Sequence, residues 1–165
     1  MSSRRSLRRP GIGSLLGMIA LNGVLSAIVL KVLFRVFGVG DVIGAHLAAS
    51  AGTQATVKWD HFWPMLPGAA VGFGCLWYWL IFTGRSKGVN WGVATCYGVG
   101  VACCNVPLSG LIAGFLHGDP FMGFLMALLL LMLLPSLMVS TLCFGLTLGC
   151  LNGSMAQRWI VQRKG

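Results

Sequence analysis

The sequence has very few charged residues. Lys, Arg, Asp and Glu make up 9% of its 165 residues, whereas an ordinary soluble domain has roughly 25%. Hydrophobic residues make up 56%, and the mean hydropathy is +0.83. A folded chain of this size leaves about a third of its unfolded surface exposed, and this chain has too few polar groups to cover that surface. The composition therefore excludes a soluble globular domain and favours the lipid bilayer as solvent.

Acidic residues are the scarcest of all, with three acids against twelve basic residues and a net charge of +9. In a soluble protein this excess would suggest nucleic-acid binding. Here the basic residues form short clusters beside apolar runs, which membrane topology explains better. We therefore expect no nucleic-acid partner, and we expect anionic lipid headgroups on the cytoplasmic side as the counter-charge.

The sequence also lacks the short motifs of common enzymes. It contains no P-loop, no HExxH, and no Rossmann or Gly-x-Ser-x-Gly fingerprint in a fitting context. Its six cysteines form no CxxC pair. The second, third and fourth apolar stretches carry no ionisable Asp, Glu, Lys, Arg or His, the residues that mark ion and proton pathways within membranes. The protein is therefore predicted to be non-enzymatic and to have no cofactor.

Four apolar stretches are long enough to cross a bilayer, which takes about 20 residues. They cover residues 12–34, 62–82, 89–116 and 121–151. They predict an all-α fold, a single polytopic domain of four transmembrane helices between a basic N-terminal tail (1–11) and a C-terminal tail (152–165). The outer loop over residues 38–61 is longer than the other connections. Its weakly amphipathic start at Asp41 is consistent with a short interfacial helix.

The distribution of basic residues predicts the orientation. Nine of the twelve lie in the N-terminal tail, between helices two and three, or in the C-terminal tail, and all three acids lie in the opposite connections. An excess of Lys and Arg marks the cytoplasmic side of a membrane protein. Both termini are therefore predicted to be cytoplasmic, in a bacterial inner (plasma) membrane, with an organellar membrane as the alternative.

Two basic residues, Lys31 and Arg35, lie four positions apart at the outer end of helix one. Long basic side chains at helix ends commonly extend to the headgroups while their stems stay in the apolar layer. The alternative is that this outer basic pair binds an acid, either Asp41 or Asp60 in this chain or an acid of a partner.

Glycines recur at four-residue spacing in all four predicted helices. This spacing places them on one face, where helix backbones approach closely in a bilayer. The sets are Gly13 and Gly17; Gly68 and Gly72; Gly110 and Gly114; and Gly145, Gly149 and Gly153. These faces either pack within the bundle or form a groove for a partner's helix. The last set is the longest and is the best candidate for such a groove.

Helices three and four each contain a proline with polar neighbours. Pro107 and Pro135 remove a backbone hydrogen bond and bend a helix, and Asn105, Ser136 and Ser140 lie close to them in sequence. Broken, polar-lined helices build the binding sites of some transporters. The arrangement predicts either a fixed kink or a polar site of that kind.

The outer side also carries all three histidines together with the acids. His46, His61 and His117 accompany Asp60 and Asp119 there, and two or three imidazoles with a carboxylate suit zinc or copper. The spacing matches no metal motif, so these residues are weak metal candidates and the alternative is polar loop residues.

Two functions follow from these patterns. The first is a non-enzymatic accessory or assembly subunit of a larger membrane protein complex, which packs through glycine-rich helix faces against other membrane subunits or further copies of itself. The alternative is a small oligomeric transporter or channel that uses the polar, proline-kinked site of helices three and four. A membrane enzyme or metal protein that uses the outer histidines comes third.

Overall fold

The computed structural model describes residues 11–41, 45, 63–84 and 88–164. The main helices of these ranges are α1 (Ile12–Val36), α2 (Met65–Gly84), α3 (Trp91–His117), α4 (Pro120–Leu133) and α5 (Pro135–Lys164). Four of them, α1, α2, α3 and α5, are long and apolar enough to cross a membrane. The described residues contain no strand. The predicted all-α, polytopic class is therefore confirmed.

The stretch over residues 121–151, predicted as one helix, is divided in two at Leu134. Leu134 has an extended backbone (φ −105°, ψ 100°), the conformation that a following proline imposes on its neighbour, and Pro135 opens α5. The spanning helix of this region is α5, whereas α4 is a shorter apolar helix.

The predicted C-terminal tail differs as well, because α5 continues to Lys164. Asn152, Ala156 and Ile160 are all buried. They continue the buried face of α5 from Leu148 at a spacing of four residues, so this segment packs as part of the bundle.

Helix ends follow the local sequence signals. Asn90 caps α3 by accepting a hydrogen bond from the Val93 amide at 3.2 Å, and α3 ends at Gly118, which adopts a left-handed conformation (φ 87°). Asp119 caps α4 by accepting from the Met122 amide at 3.0 Å, and Pro120 occupies the first turn. These signals make the connection between α3 and α4 a tight turn of two residues, Gly118 and Asp119.

The outer loop is described only at its start. Residues 39–41 and Ala45 are helical, and the side chain of Val39 is completely buried. The rest of the proposed interfacial helix lies outside the described residues.

The spanning helices form a bundle in which α2 and α5 are the most deeply embedded. α2 packs against α1, α3 and α5; α5 also packs against α1 and α3; α4 packs mainly against α3. Two edge-to-face aromatic pairs join α2 to α5. The ring centroids of Phe73 and Phe144 are 5.8 Å apart, and those of Trp77 and Trp159 are 6.2 Å apart.

The bundle has two chemically different ends. The start of α1, the end of α2, the start of α3 and the end of α5 lie together at what we call the Gly84 end, where the Val89 amide donates to the side chain of Gln157 at 3.0 Å. The opposite end, which we call the Asp119 end, holds the start of α2 and the turn between α3 and α4.

Candidate functional site

The three-glycine face of α5 packs against α3. A Cβ placed on Gly145 would lie 2.6 Å from the Cα of Val99, and one on Gly149 would lie 2.8 Å from the carbonyl oxygen of Ala94. Gly153 lies under the ring of Trp91. This face is therefore filled within the chain, and the hypothesis that it forms an open groove for a partner's helix does not hold.

Two further glycine sets are also used within the chain. Gly110 and Gly114 contact the backbone of α4 at Gly123 and at the Asp119–Pro120 turn. Gly68 and Gly72 of α2 lie against side chains of α3, and a Cβ at Gly72 would lie 2.6 Å from Val101. Close approach of a neighbouring helix, by backbone at Gly110 and Gly114 and by side chains at Gly68 and Gly72, thus explains these four glycines as packing positions.

The glycine pair of α1 differs from all the others. A Cβ added at Gly13 or at Gly17 would meet nothing within 4 Å. Ala20 and Val24 continue the same exposed strip along α1. Among the glycine sets predicted at four-residue spacing, the one that the described bundle leaves uncovered is therefore on α1.

A reciprocal pair of asparagines joins α1 to α5. The Nδ2 of Asn22 donates to Asn152 at 3.0 Å, and the Nδ2 of Asn152 donates back at 2.8 Å. Each Nδ2 also donates to a carbonyl of its own helix, at Met18 and Leu148 respectively. Both side chains are fully buried. All four amide hydrogens are therefore used inside the bundle, out of contact with solvent, which stabilises the packing of these helices.

Asn105, the predicted centre of the polar site, joins two helices. Its Nδ2 donates to the Met65 carbonyl oxygen in the first turn of α2 at 2.8 Å. Its Oδ1 lies directly on Gly68 and has no hydrogen-bond partner. This contact requires glycine at position 68, because any side chain there would collide with the amide.

The other predicted members of the polar site are not brought into one cavity. Ser140 donates to the Leu137 carbonyl of its own helix at 2.9 Å, and the hydroxyl of Ser136 is buried without a partner. Pro107 lies inside α3 and leaves that helix continuous, whereas Pro135 begins α5. In the part of the chain that the structure describes, these residues stabilise or bend helices and do not line a common polar path.

The outer basic pair lies on the exposed side of α1. Lys31 and Arg35 are both exposed in its last two turns. Two acids of this chain were proposed from the sequence as partners of this basic pair. Asp41 is described and exposed, whereas Asp60 lies outside the described residues.

The metal candidates are mostly outside the described residues. His46, His61 and Asp60 are not described, and of His117 only the backbone is. Asp119 caps α4. Within the described ranges no three His, Cys, Asp or Glu side chains are grouped as metal ligands would be.

A cavity lies at the Asp119 end, between α3, α4 and the start of α2. Its volume is about 420 Å³, within the range of about 300–1,000 Å³ that small-molecule sites occupy. Apart from Ser109 and Asp119 its lining side chains are apolar, and they include Met65, Val106 and Met126.

Sequence reasoning missed Asn152 and this cavity. Asn152 follows Gly149 by three residues, whereas Gly153 continues the four-residue spacing of Gly145 and Gly149, and that periodicity was the signal that α5 does not end at Leu151. The cavity carries no sequence signal of its own, because it depends on how the helices pack around the bend at Leu134.

Comparison of the chain with protein-family models, with curated proteins and with solved structures finds no match.

Proposed function

We propose that this protein is a non-enzymatic accessory or assembly subunit of a larger membrane complex, and that its partner binds the outward face of α1. This face consists of Gly13, Gly17, Ala20 and Val24. The observation that carries the proposal is that Gly13 and Gly17 have nothing within 4 Å, whereas the glycine pairs of the other spanning helices are packed. In a bilayer, small residues at this spacing let a second helix approach closely.

The interior of the bundle supports a role that involves neither catalysis nor proton transfer. The buried polar side chains of the described residues are all neutral. They are Asn22, Ser26, Asn105, Ser140, Thr141 and Asn152. Proton-coupled transport and carboxylate catalysis need ionisable groups at membrane depth, and this core is built from apolar side chains and amide pairs.

The charge distribution supports an orientation with the Gly84 end in the cytoplasm. Arg158 is exposed near the end of α5. In sequence, the basic N-terminal tail directly precedes α1, and residues 85–87, which contain two basic residues, directly follow α2. By the positive-inside rule this end faces the cytoplasm of a bacterial inner membrane, and Lys31 and Arg35 then extend to the outer headgroups.

The test is a comparison of Gly17→Leu with Gly100→Leu. Both glycines are exposed with nothing within 4 Å, but Gly100 lies on α3. The tagged wild-type protein is extracted from its own membrane in mild detergent, sized, and its companions identified. We expect a stoichiometric foreign subunit that Gly17→Leu releases and Gly100→Leu retains, with the same thermal unfolding in both variants.

Three results would count against this function. Retention of the subunit by Gly17→Leu would show that α1 is not the contact. Release of the subunit by Gly100→Leu alone would indicate that the subunit contacts α3 instead of α1. A wild-type protein that carries only copies of itself would favour the small oligomeric transporter instead, and flux into liposomes would then be measured.

A further inference from the structure

The cavity at the Asp119 end results from a mismatch in length between facing helices. Gly98 packs on Gly145, and Gly110 packs on Gly123. On α3, 12 positions separate Gly98 from Gly110, whereas 22 positions separate Gly123 on α4 from Gly145 on α5. The segment of α3 is therefore little more than half as long as the chain that faces it. The surplus chain cannot follow α3, so it bends at Leu134 and leaves a space between Val106, α4 and the start of α2.

The almost wholly apolar lining of this space suits a flexible alkyl chain. The methionines in the lining, Met65, Met122 and Met126, are unbranched and adapt to such a guest.

Binding an alkyl chain here gives little preference by itself, because the surrounding lipid tails are as apolar as the cavity wall. Selectivity must come from the polar groups in the lining, which are Ser109 and Asp119. The Ser109 hydroxyl already donates its hydrogen to the Val106 carbonyl at 2.6 Å, and the Asp119 carboxylate has only acceptors. The polar side chains of the cavity therefore accept hydrogen bonds and carry negative charge.

We propose that this cavity binds one acyl chain of a phospholipid from the bilayer whose headgroup is a primary ammonium, and that Asp119 accepts hydrogen bonds from that ammonium. A primary ammonium supplies three N–H donors and a positive charge, whereas a choline headgroup has no N–H group. An anionic headgroup such as phosphatidylglycerol is repelled by the carboxylate. This proposal does not depend on the accessory role of the protein.

Native mass spectrometry of the purified full-length protein tests the proposal. The protein is delipidated in detergent and then offered phosphatidylethanolamine, phosphatidylcholine and phosphatidylglycerol with identical dioleoyl chains at equal concentration. We expect one retained phosphatidylethanolamine per chain. Asp119→Asn should reduce its excess over phosphatidylcholine about fivefold, the effect of one charge at a headgroup surface, and should leave α4 capped because Asn is as good a cap as Asp.

A matched pair of variants locates the site. Met126 and Leu129 lie on α4 and are both 49% exposed, but only Met126 lines the cavity. Met126→Trp fills the cavity and should reduce retained phosphatidylethanolamine to the phosphatidylcholine level, while Leu129→Trp should leave it unchanged. Both tryptophan variants are checked for wild-type thermal unfolding. If they do not fold, the proposal is tested by the lipid retention of Asp119→Asn alone.

Other outcomes overturn the proposal. Equal retention of all three lipids, or an excess unchanged by Asp119→Asn, removes the role of the ammonium. Loss of lipid in both tryptophan variants, or in neither, places any bound lipid elsewhere. Release of a co-purifying protein by Met126→Trp, with lipid retention unchanged, would make the cavity a protein contact.

Discussion

The consecutive helices α4 and α5 both pack on α3 through glycines, but only α5 is embedded in the bundle. No residue of α4 is buried, whereas α5 buries glycines, Phe144, Leu148 and Asn152 against three other helices. The backbone contact at Gly123 is as close as the one at Gly145. Close glycine contact therefore sets where a helix lies, and the depth of burial depends on how many further helices surround it.

The largest effect should come from Gly145→Leu. A Cβ at this position already lies within 2.8 Å of the Gly98 carbonyl oxygen, and backbone cannot move aside as a side chain can. The cost should exceed the ~1–3 kcal/mol of ordinary overpacking, because α5 would separate from α3 along its length. We expect no folded, monodisperse protein, measured by size exclusion and by tryptophan fluorescence during SDS titration.

Gly100→Leu is the control for this variant, since Gly100 has open space around it. It should unfold at the wild-type SDS fraction. A folded Gly145→Leu protein with wild-type stability would show that α3 and α5 are not held by this contact.

A smaller and local effect is expected from Gly123→Leu. The contact with Gly110 would be lost, but α4 buries nothing that the rest of the bundle needs. Helices that pack on one neighbour open at a lower free energy than the core. Hydrogen exchange should therefore lose protection in α4 and in the second half of α3, with α1, α2 and α5 unchanged.

The contrasting result for Gly123→Leu would be a loss of protection across all helices together. That pattern would mean that α4 and α5 unfold as one unit, in spite of the break at Leu134.

The asparagine pair gives the next effect in size. Asn152→Leu leaves the buried amide of Asn22 without its partner, and Asn22→Leu does the reverse. Each should lower the free energy of unfolding by about 1–2 kcal/mol. The double variant should cost less than the two single costs together, because no unpaired amide remains.

The measurement for this pair is a double-mutant cycle by SDS unfolding. Additive costs would indicate that the two amides do not act on each other, in disagreement with the reciprocal hydrogen bonds.

The sequence was sufficient to predict the class of the fold, and insufficient for features that depend on contacts between helices. Apolar length and composition predicted the spanning helices, and the caps at Asn90 and Asp119 follow from local chemistry. Two prolines had the same local signal, yet Pro107 leaves α3 continuous while Pro135 begins a new helix. Which proline ends a helix depends on the packing around it, which a sequence pattern does not contain.

The candidate site was less predictable for the same reason. Four-residue spacing did not identify Gly98 or Gly123, which make close backbone contacts. The spacing is also identical in α1, where the face is open, and in α5, where it is covered. Only the arrangement of the helices in the bundle distinguishes the two faces. The residues of the predicted polar site do not share a cavity in the described structure, because Asn105 donates across to the Met65 carbonyl of α2 and Ser140 donates to the Leu137 carbonyl of its own helix.

The smallest effect concerns the break between α4 and α5. Pro135→Ala adds an amide hydrogen that can bond to the Leu131 carbonyl, and it releases Leu134 from the extended conformation that a following proline imposes. Hydrogen exchange should then become slower over residues 134–138, with little change in thermal stability. Leu134 and Leu137 are only 3% and 5% exposed, so the opposing hypothesis is that their packing holds the bend. Unchanged exchange in Pro135→Ala would favour that hypothesis, and the separation of α4 from α5 would then be a property of the bundle instead of the proline.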